Sequence, residues 1–178
     1  IIVVGAGELK KNIEAAENLA NQAELDLIGI QATRLNAETL AAAMETEAPV
    51  AESIEEVRET VPGGENLVMG GLVPGYSTDA VAATVAELLE ADLFIATSVD
   101  GVYTADPEKH DAERIDRISP EELRELTEGN NSAGAHDLID GTAISIIERS
   151  GITAEVGLGT PEALKNPEST TLIETDDY

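Results

Sequence analysis

Apolar residues along this chain form short β-branched runs, separated by longer stretches in which they recur at helical spacing. The first run, Ile1 to Val4, ends on Gly5-Ala6-Gly7 and predicts a buried strand followed by a tight turn. Leu9 to Ala23 has helical composition. A second helix is predicted over Leu25 to Met44, from apolar positions at Leu25, Ile28, Ala32, Leu35 and Leu40. Ser53 to Glu59 predicts a short helix, with Ser53 as N-cap and Glu56 completing a capping box. Pro62-Gly63-Gly64 marks a turn, and Asn66 to Met69 a strand running into Gly70-Gly71. Ser77, Thr78 and Asp79 offer N-cap chemistry ahead of a strong helix over Ala80 to Glu90. Leu93 to Ala96 predicts a strand and Asp100-Gly101 a turn. Ser119-Pro120-Glu121-Glu122 opens a helix with proline at its first position. Ile139 to Arg149 is helical up to Ser150-Gly151, and Ile152 to Val156 and Thr171 to Ile173 predict closing strands.

Strands alternating with helices imply an α/β fold, a three-layer αβα sandwich around a mostly parallel sheet. The 178 residues fit a single domain, with no repeat, linker or low-complexity tract. Such a domain rarely opens on an apolar strand that already carries a functional-looking turn, so a strand-loop-helix is expected to be missing from its front.

Composition changes this picture in one respect. Hydrophobic residues make up 42% of the chain, as in ordinary globular proteins, but aromatics only 2%, so Val, Ile, Leu and Ala must build the core. With no cysteine there is neither a disulfide framework nor a thiolate metal site. No run approaches the roughly 18 apolar residues of a membrane helix, and the apolar start has no charged leader, so a cytoplasmic protein is expected. The outlier is charge: 36 acidic residues against 10 basic ones give −26. Such a field repels nucleic acid and anionic membranes. The regular apolar segments argue against an acidic disordered chain. A folded protein from a salt-rich cytoplasm is the expectation, because molar salt shortens the Debye length to about 3 Å.

Three glycine-marked loops follow three apolar strands: Gly5-Ala6-Gly7, the run from Gly70 to Asp79, and the run from Thr97 to Pro107. Open α/β sheets bind ligands beyond the carboxyl ends of their strands, and glycines let backbone approach an anion. Phosphate binding is therefore the natural reading, although each loop alone is compatible with a plain turn.

The run GGLVPGYSTDAVAATVAELLEADLFIATSVDGVYTADP, together with LDLIGIQATRLNAETL, resembles the archaeal uridylate (UMP) kinase branch of the amino acid kinase family. The likeness extends over essentially the whole chain and includes SAGAHDLIDGTAISIIERSGI. It implies transfer of the ATP γ-phosphate to UMP, with Mg²⁺ accompanying ATP and no dedicated protein metal site. It also implies a homo-oligomer, a hexamer in relatives, with the Leu25 to Met44 helix available for a subunit contact. The family's Gly-Gly-Ser phosphate loop would precede Ile1.

Site roles follow from the same resemblance. Ala6 would face UMP and Gly7 would face ATP. Asp26 matches an acid that holds the uridine ribose, and Leu72, Val73, Pro74, Gly75, Tyr76, Ser77 and Thr78 match the loop that wraps UMP. Lys11, Thr97, Ser98, Tyr103 and Asp106 match ATP contacts. Asp79 corresponds to an acid that orients catalytic lysines. Each has a plainer alternative: Asp79 as a helix N-cap, Asp26 as a helix-start acid, Tyr103 as a strand-end aromatic, Lys11 as a solvated helix residue. His110 and His136 read as surface residues, and Arg34 as structural or at a subunit contact. Ala6 and Lys11 replace the family's Gly and Arg, and lysine lacks the bidentate fork. Ser145 stands where relatives often have Lys, the Leu93 to Ala96 strand looks one residue short, and the region after Gly159 looks abbreviated. Another small-molecule kinase of the family, or a non-catalytic nucleotide- or oxyanion-binding relative, remains an alternative.

Overall fold

The computed structural model describes residues 1–44, 50–64, 66–105, 111–128, 138–165 and 170–175. Asp106, His110 and His136 lie outside them. The chain divides into two compact units, Ile1–Val85 and Ala86–Tyr178.

In the first unit, strand β1 (Ile2–Val3) pairs in parallel with β2 (Val68–Met69). Ala51 bridges to Met69 in parallel. The helical stretch expected over Leu9 to Ala23 is interrupted. A 3-10 turn at Gly7–Leu9 leads into α1 (Lys10–Ala16), and the next helix starts only at Gln22. The reason is local. Asn21 is extended and accepts from the Glu24 N–H, while the Glu24 carboxylate accepts from the Asn21 N–H. This reciprocal capping box forces a new start. Helix α2 (Gln22–Ala43) buries Leu25, Ile30, Ala32, Thr33, Ala37 and Ala41. Leu35, one of the apolar positions that marked the helix, is 58% exposed. Ala37 and Ala41 pack with Val68, flanked by Val4, Leu40 and Val50. Small alanines there bring the helix close to the strand.

Helix α3 (Ile54–Thr60) is capped by Ser53 as expected, but the Glu56 carboxylate takes the N–H of Glu52 rather than that of Ser53. Helix α4 (Thr78–Leu89) begins two residues earlier than predicted, and the division between the units falls within it. Ser77 accepts from the Ala80 N–H and is the N-cap, which places Asp79 inside the first turn.

In the second unit, strand β3 (Leu93–Thr97) pairs in parallel with β7 (Ala154–Leu158). Its fifth residue, Thr97, is opposite Leu158, so the strand runs one residue beyond the predicted Leu93 to Ala96. Beyond β7 lies β8 (Thr171–Ile173), antiparallel to β7, and then β6 (Arg117–Ile118), parallel to β8. A separate two-residue ribbon pairs β4 (Val102–Tyr103) with β5 (Arg114–Ile115). Strands β4, β5 and β6 are too short to show periodicity in sequence.

Helix α5 (Pro120–Glu128) starts with the expected proline. The Ser119 hydroxyl accepts from the Glu122 N–H, and the Glu122 carboxylate accepts from the Ser119 N–H, which lowers the Glu122 carboxyl pKa. Helix α6 (Gly141–Ser150) starts two residues later than predicted, because Asp140 caps it through the Thr142 and Ala143 N–H groups. Gly151, at φ +65°, ends it in the left-handed region.

Candidate functional site

In the first unit, α2 holds every glycine-marked loop by a side chain. Asn36 Nδ2 donates to both the Gly5 and the Ala6 carbonyl, each at 2.9 Å. Thr33 Oγ1 accepts from the Gly71 N–H at 2.7 Å and donates to the Ile30 carbonyl at 2.8 Å. Arg34 Nε reaches the Gly71 carbonyl at 3.3 Å, and its guanidinium pairs with Glu52 at 2.6 Å. Arg34 is thus a structural clamp. Asp26 Oδ2 accepts from the Gly75 N–H at 2.8 Å, and its other oxygen accepts from Gln22 Nε2 at 3.0 Å.

Asp26 is therefore brought to the loop from Leu72 to Thr78. Gly75 has φ +81° with open space around it, and Val73 and Tyr76 present 51% and 44% of their surface to solvent. A held loop with exposed apolar side chains at its tip can cover a flat, partly apolar ligand. Leu72 and Thr78 are half-buried, and Pro74 and Ser77 exposed. Gly5 lies against α4, where a Cβ would come within 3.6 Å of Thr78 Oγ1. Lys11 is exposed and ion-paired with Glu8 three residues earlier.

In the second unit, the Thr97 hydroxyl donates to the Val99 carbonyl at 2.8 Å and accepts from the Val99 N–H at 3.1 Å, curling the chain over exposed Ser98. The Tyr103 hydroxyl donates to Asp100 Oδ1 at 2.7 Å, and the Arg114 guanidinium stands 3.7 Å from the other Asp100 oxygen. The hydrogen bond to Asp100, then burial, raises the Tyr103 phenol above its ordinary value, and Arg114 opposes the shift. Buried Thr171 accepts from the Val102 N–H at 2.7 Å and donates to the Ile115 carbonyl at 2.6 Å, fixing where Tyr103 starts.

The phenol bond gives a spectroscopic prediction. Tyr103 is one of three tyrosines, and its absorbance titration is expected above 10.0, with Asp100→Asn bringing it down. The bond's contribution to stability is present below the ordinary phenol range and lost as pH rises through the raised value. A titration unchanged by Asp100→Asn would refute the contact.

Residues 1–157 match the model of the amino acid kinase family. The chain belongs to the amino acid kinase family. It is 46% identical over 170 residues to the uridylate kinase of Natronomonas pharaonis, covering 91% of this chain and 75% of that one. Identity to the uridylate kinase of Archaeoglobus fulgidus is also 46%, over 167 residues, 90% of this chain and 76% of that one. The crystal structure of the Archaeoglobus uridylate kinase superposes with a TM-score of 0.83 at 40% identity, covering 96% of this chain and 82% of that one. An aspartate kinase from Synechocystis, at 18% identity and TM-score 0.69, shares the fold, and covers 99% of this chain and 34% of that one. The α/β class expected from the sequence is thus the amino acid kinase fold.

Within this amino acid kinase, sequence reasoning overlooked Thr33, Asn36 and Thr171, which hold loops from elements outside them, and Asp100, which holds Tyr103 from within its own loop. The only signal for the first two was their place beside Arg34 in the Thr-Arg-Leu-Asn-Ala run. Asp100-Gly101 carries only a turn signal in the sequence, and the partners of Thr171 are distant along the chain. Among the described residues, no group of three or more acidic or histidine side chains could hold a metal ion. No described helix is long and apolar enough to cross a membrane.

Proposed function

We propose that the protein is a UMP kinase, converting ATP and UMP to ADP and UDP. The observation that carries this reading is the 46% identity to named uridylate kinases over nine-tenths of the chain. The Asp26–Gly75 contact supports it, since it joins the two segments that the resemblance assigns to UMP. In this reading Ala6, Asp26 and Leu72 to Thr78 bind UMP. Gly7, Lys11, Thr97, Ser98, Tyr103 and Asp106 bind ATP, and Asp79 orients cationic groups at the phosphates. A UMP phosphate oxygen attacks the γ-phosphorus in line as the bond to the ADP oxygen breaks, with no phosphoenzyme. Catalysis then rests on positioning and on backbone amides aimed at the transferring group. Mg²⁺ would arrive as the ATP chelate, held mainly by phosphate and water.

The charge of −26 supports a salt-rich cytoplasm as the working environment. Leu27 and Leu35 on α2, 52% and 58% exposed, support a homo-oligomer, hexameric by resemblance. Sedimentation in molar salt decides this, and a single-chain mass would rule it out. A binding-only reading draws on Lys11, whose charge is engaged by Glu8.

In molar KCl with Mg²⁺, ADP release is expected only when UMP is present. Asp26→Asn keeps an oxygen for the Gly75 N–H but loses the charge, and should raise the UMP KM about tenfold. Asp26→Ala loses both and should raise it further, with the ATP KM little changed. Nucleotide-induced stabilisation without product would instead establish the binding-only reading.

A further inference from the structure

Asn36 is a half-buried residue on α2 that belongs to none of the nucleotide contacts proposed above. Its single carboxamide nitrogen donates to two successive carbonyls, those of Gly5 and Ala6, each at 2.9 Å. Two acceptors on the same side fix the orientation of the amide, because Oδ1 placed there would face two lone-pair groups. The turn is already tied at its ends: Val4 N–H donates to the Met69 carbonyl at 2.8 Å, and Leu9 N–H to the Ala6 carbonyl at 3.0 Å. Asn36 is the side chain, among the described residues, that donates to its middle.

The consequence follows from peptide planarity. In a trans peptide the carbonyl of one residue and the N–H of the next point in opposite directions. Drawing the Gly5 and Ala6 carbonyls toward α2 turns the Ala6 and Gly7 N–H groups away from it. Gly7, at φ +51°, tolerates this without a Cβ. We infer that Asn36 is a positioning residue for phosphoryl transfer: it sets the direction of the Ala6 and Gly7 amides, one assigned to each nucleotide. This rests on the proposed UMP kinase reading. It explains why a turn with Ala6 in place of a third glycine keeps a defined amide direction: a side chain outside the turn imposes it.

The test compares Asn36→Asp and Asn36→Ala with the native protein in molar KCl. Aspartate has the shape of asparagine but sets an acceptor against both carbonyls, so it should repel the turn where alanine only releases it. Asn36→Asp is expected to lower kcat about 100-fold, the scale of a 1 Å misplacement, with the KM values for UMP and ATP changed far less. Asn36→Ala should fall between it and native. The amide NMR signals of Ala6 and Gly7 should shift in both variants without ligand, while those of Leu25 and Ile30 stay. Native turnover with unaltered kcat in Asn36→Asp overturns the inference and leaves the UMP kinase reading standing. If the native protein makes no UDP, that reading falls, and the amide signals decide the role of Asn36 by themselves: unshifted signals overturn it.

Discussion

Gly70→Ala is expected to destabilise the protein by about 3 kcal/mol, near the upper end for forcing a methyl group into packed structure. A Cβ on Gly70 would stand 2.7 Å from the Arg34 nitrogen and 2.8 Å from the Thr33 carbonyl carbon, both backbone atoms of α2. Neither side can yield cheaply. The next residue, Gly71, is held to α2 by the Thr33 hydroxyl and the Arg34 guanidinium, and β2 ends immediately before at Met69, fully buried. For a chain of this size the loss corresponds to a melting temperature lower by about 6–12 °C. UMP binding should weaken with it, since the loop from Leu72 to Thr78 starts from this contact. Gly141→Ala is the control: a Cβ there meets nothing within 4 Å, and the position opens α6, so the change should be neutral or gain a few tenths of a kcal/mol. Equal melting temperatures for the two variants would show that α2 does not press on Gly70.

The second large effect is that of salt. Ten basic groups cannot neutralise thirty-six acidic ones in any arrangement, which leaves −26 on 178 residues. Among the described residues, Arg34, Arg114, Arg117, Arg124, Arg149 and Lys11 are already ion-paired. Most of these pairs are exposed and contribute little each. At about 10 mM salt the Debye length is about 30 Å, so acids across a whole unit repel one another. At about 1 M it is about 3 Å, and only immediate neighbours do. Helicity by circular dichroism should therefore collapse on dialysis into dilute buffer and return as KCl is restored. Sucrose, which favours burial without screening charge, should restore it less well. Full helicity retained in dilute buffer would refute the salt-adapted reading.

The fold was legible where a segment is long enough for its pattern to be seen. Helices α2, α4 and α6 and the strands near Val3, Met69, Ile95 and Val156 could be located because periodicity and caps are local properties. Boundaries slipped where a particular side chain took a cap. Asn21 rather than Leu25 sets the start of α2, Asp140 that of α6, and Ser77, the first of three candidate caps, starts α4 at Thr78 rather than Ala80. Strands β4, β5 and β6, two residues each, exist only because a partner supplies their hydrogen bonds. Leu35 shows the limit of periodicity: its spacing matches a buried stripe, yet it is largely exposed.

By itself, the sequence determined the α/β class, the glycine-marked loops after apolar strands, the acidic excess and the family. The first three depend on residue type and spacing, which local physics translates directly; the family came from the resemblance of whole runs such as that from Gly70 to Pro107. The tertiary structure decided which side chains hold those loops. Asn36 meets Gly5 and Ala6 across some thirty positions, Thr33 meets Gly71 across 38, Asp26 meets Gly75 across 49, and Thr171 meets Val102 across 69. A hydrogen bond is a short-range, directional contact. Its partners are fixed by how α2 packs on β2 and how β8 lies between β7 and β6, and no spacing rule along the chain encodes that.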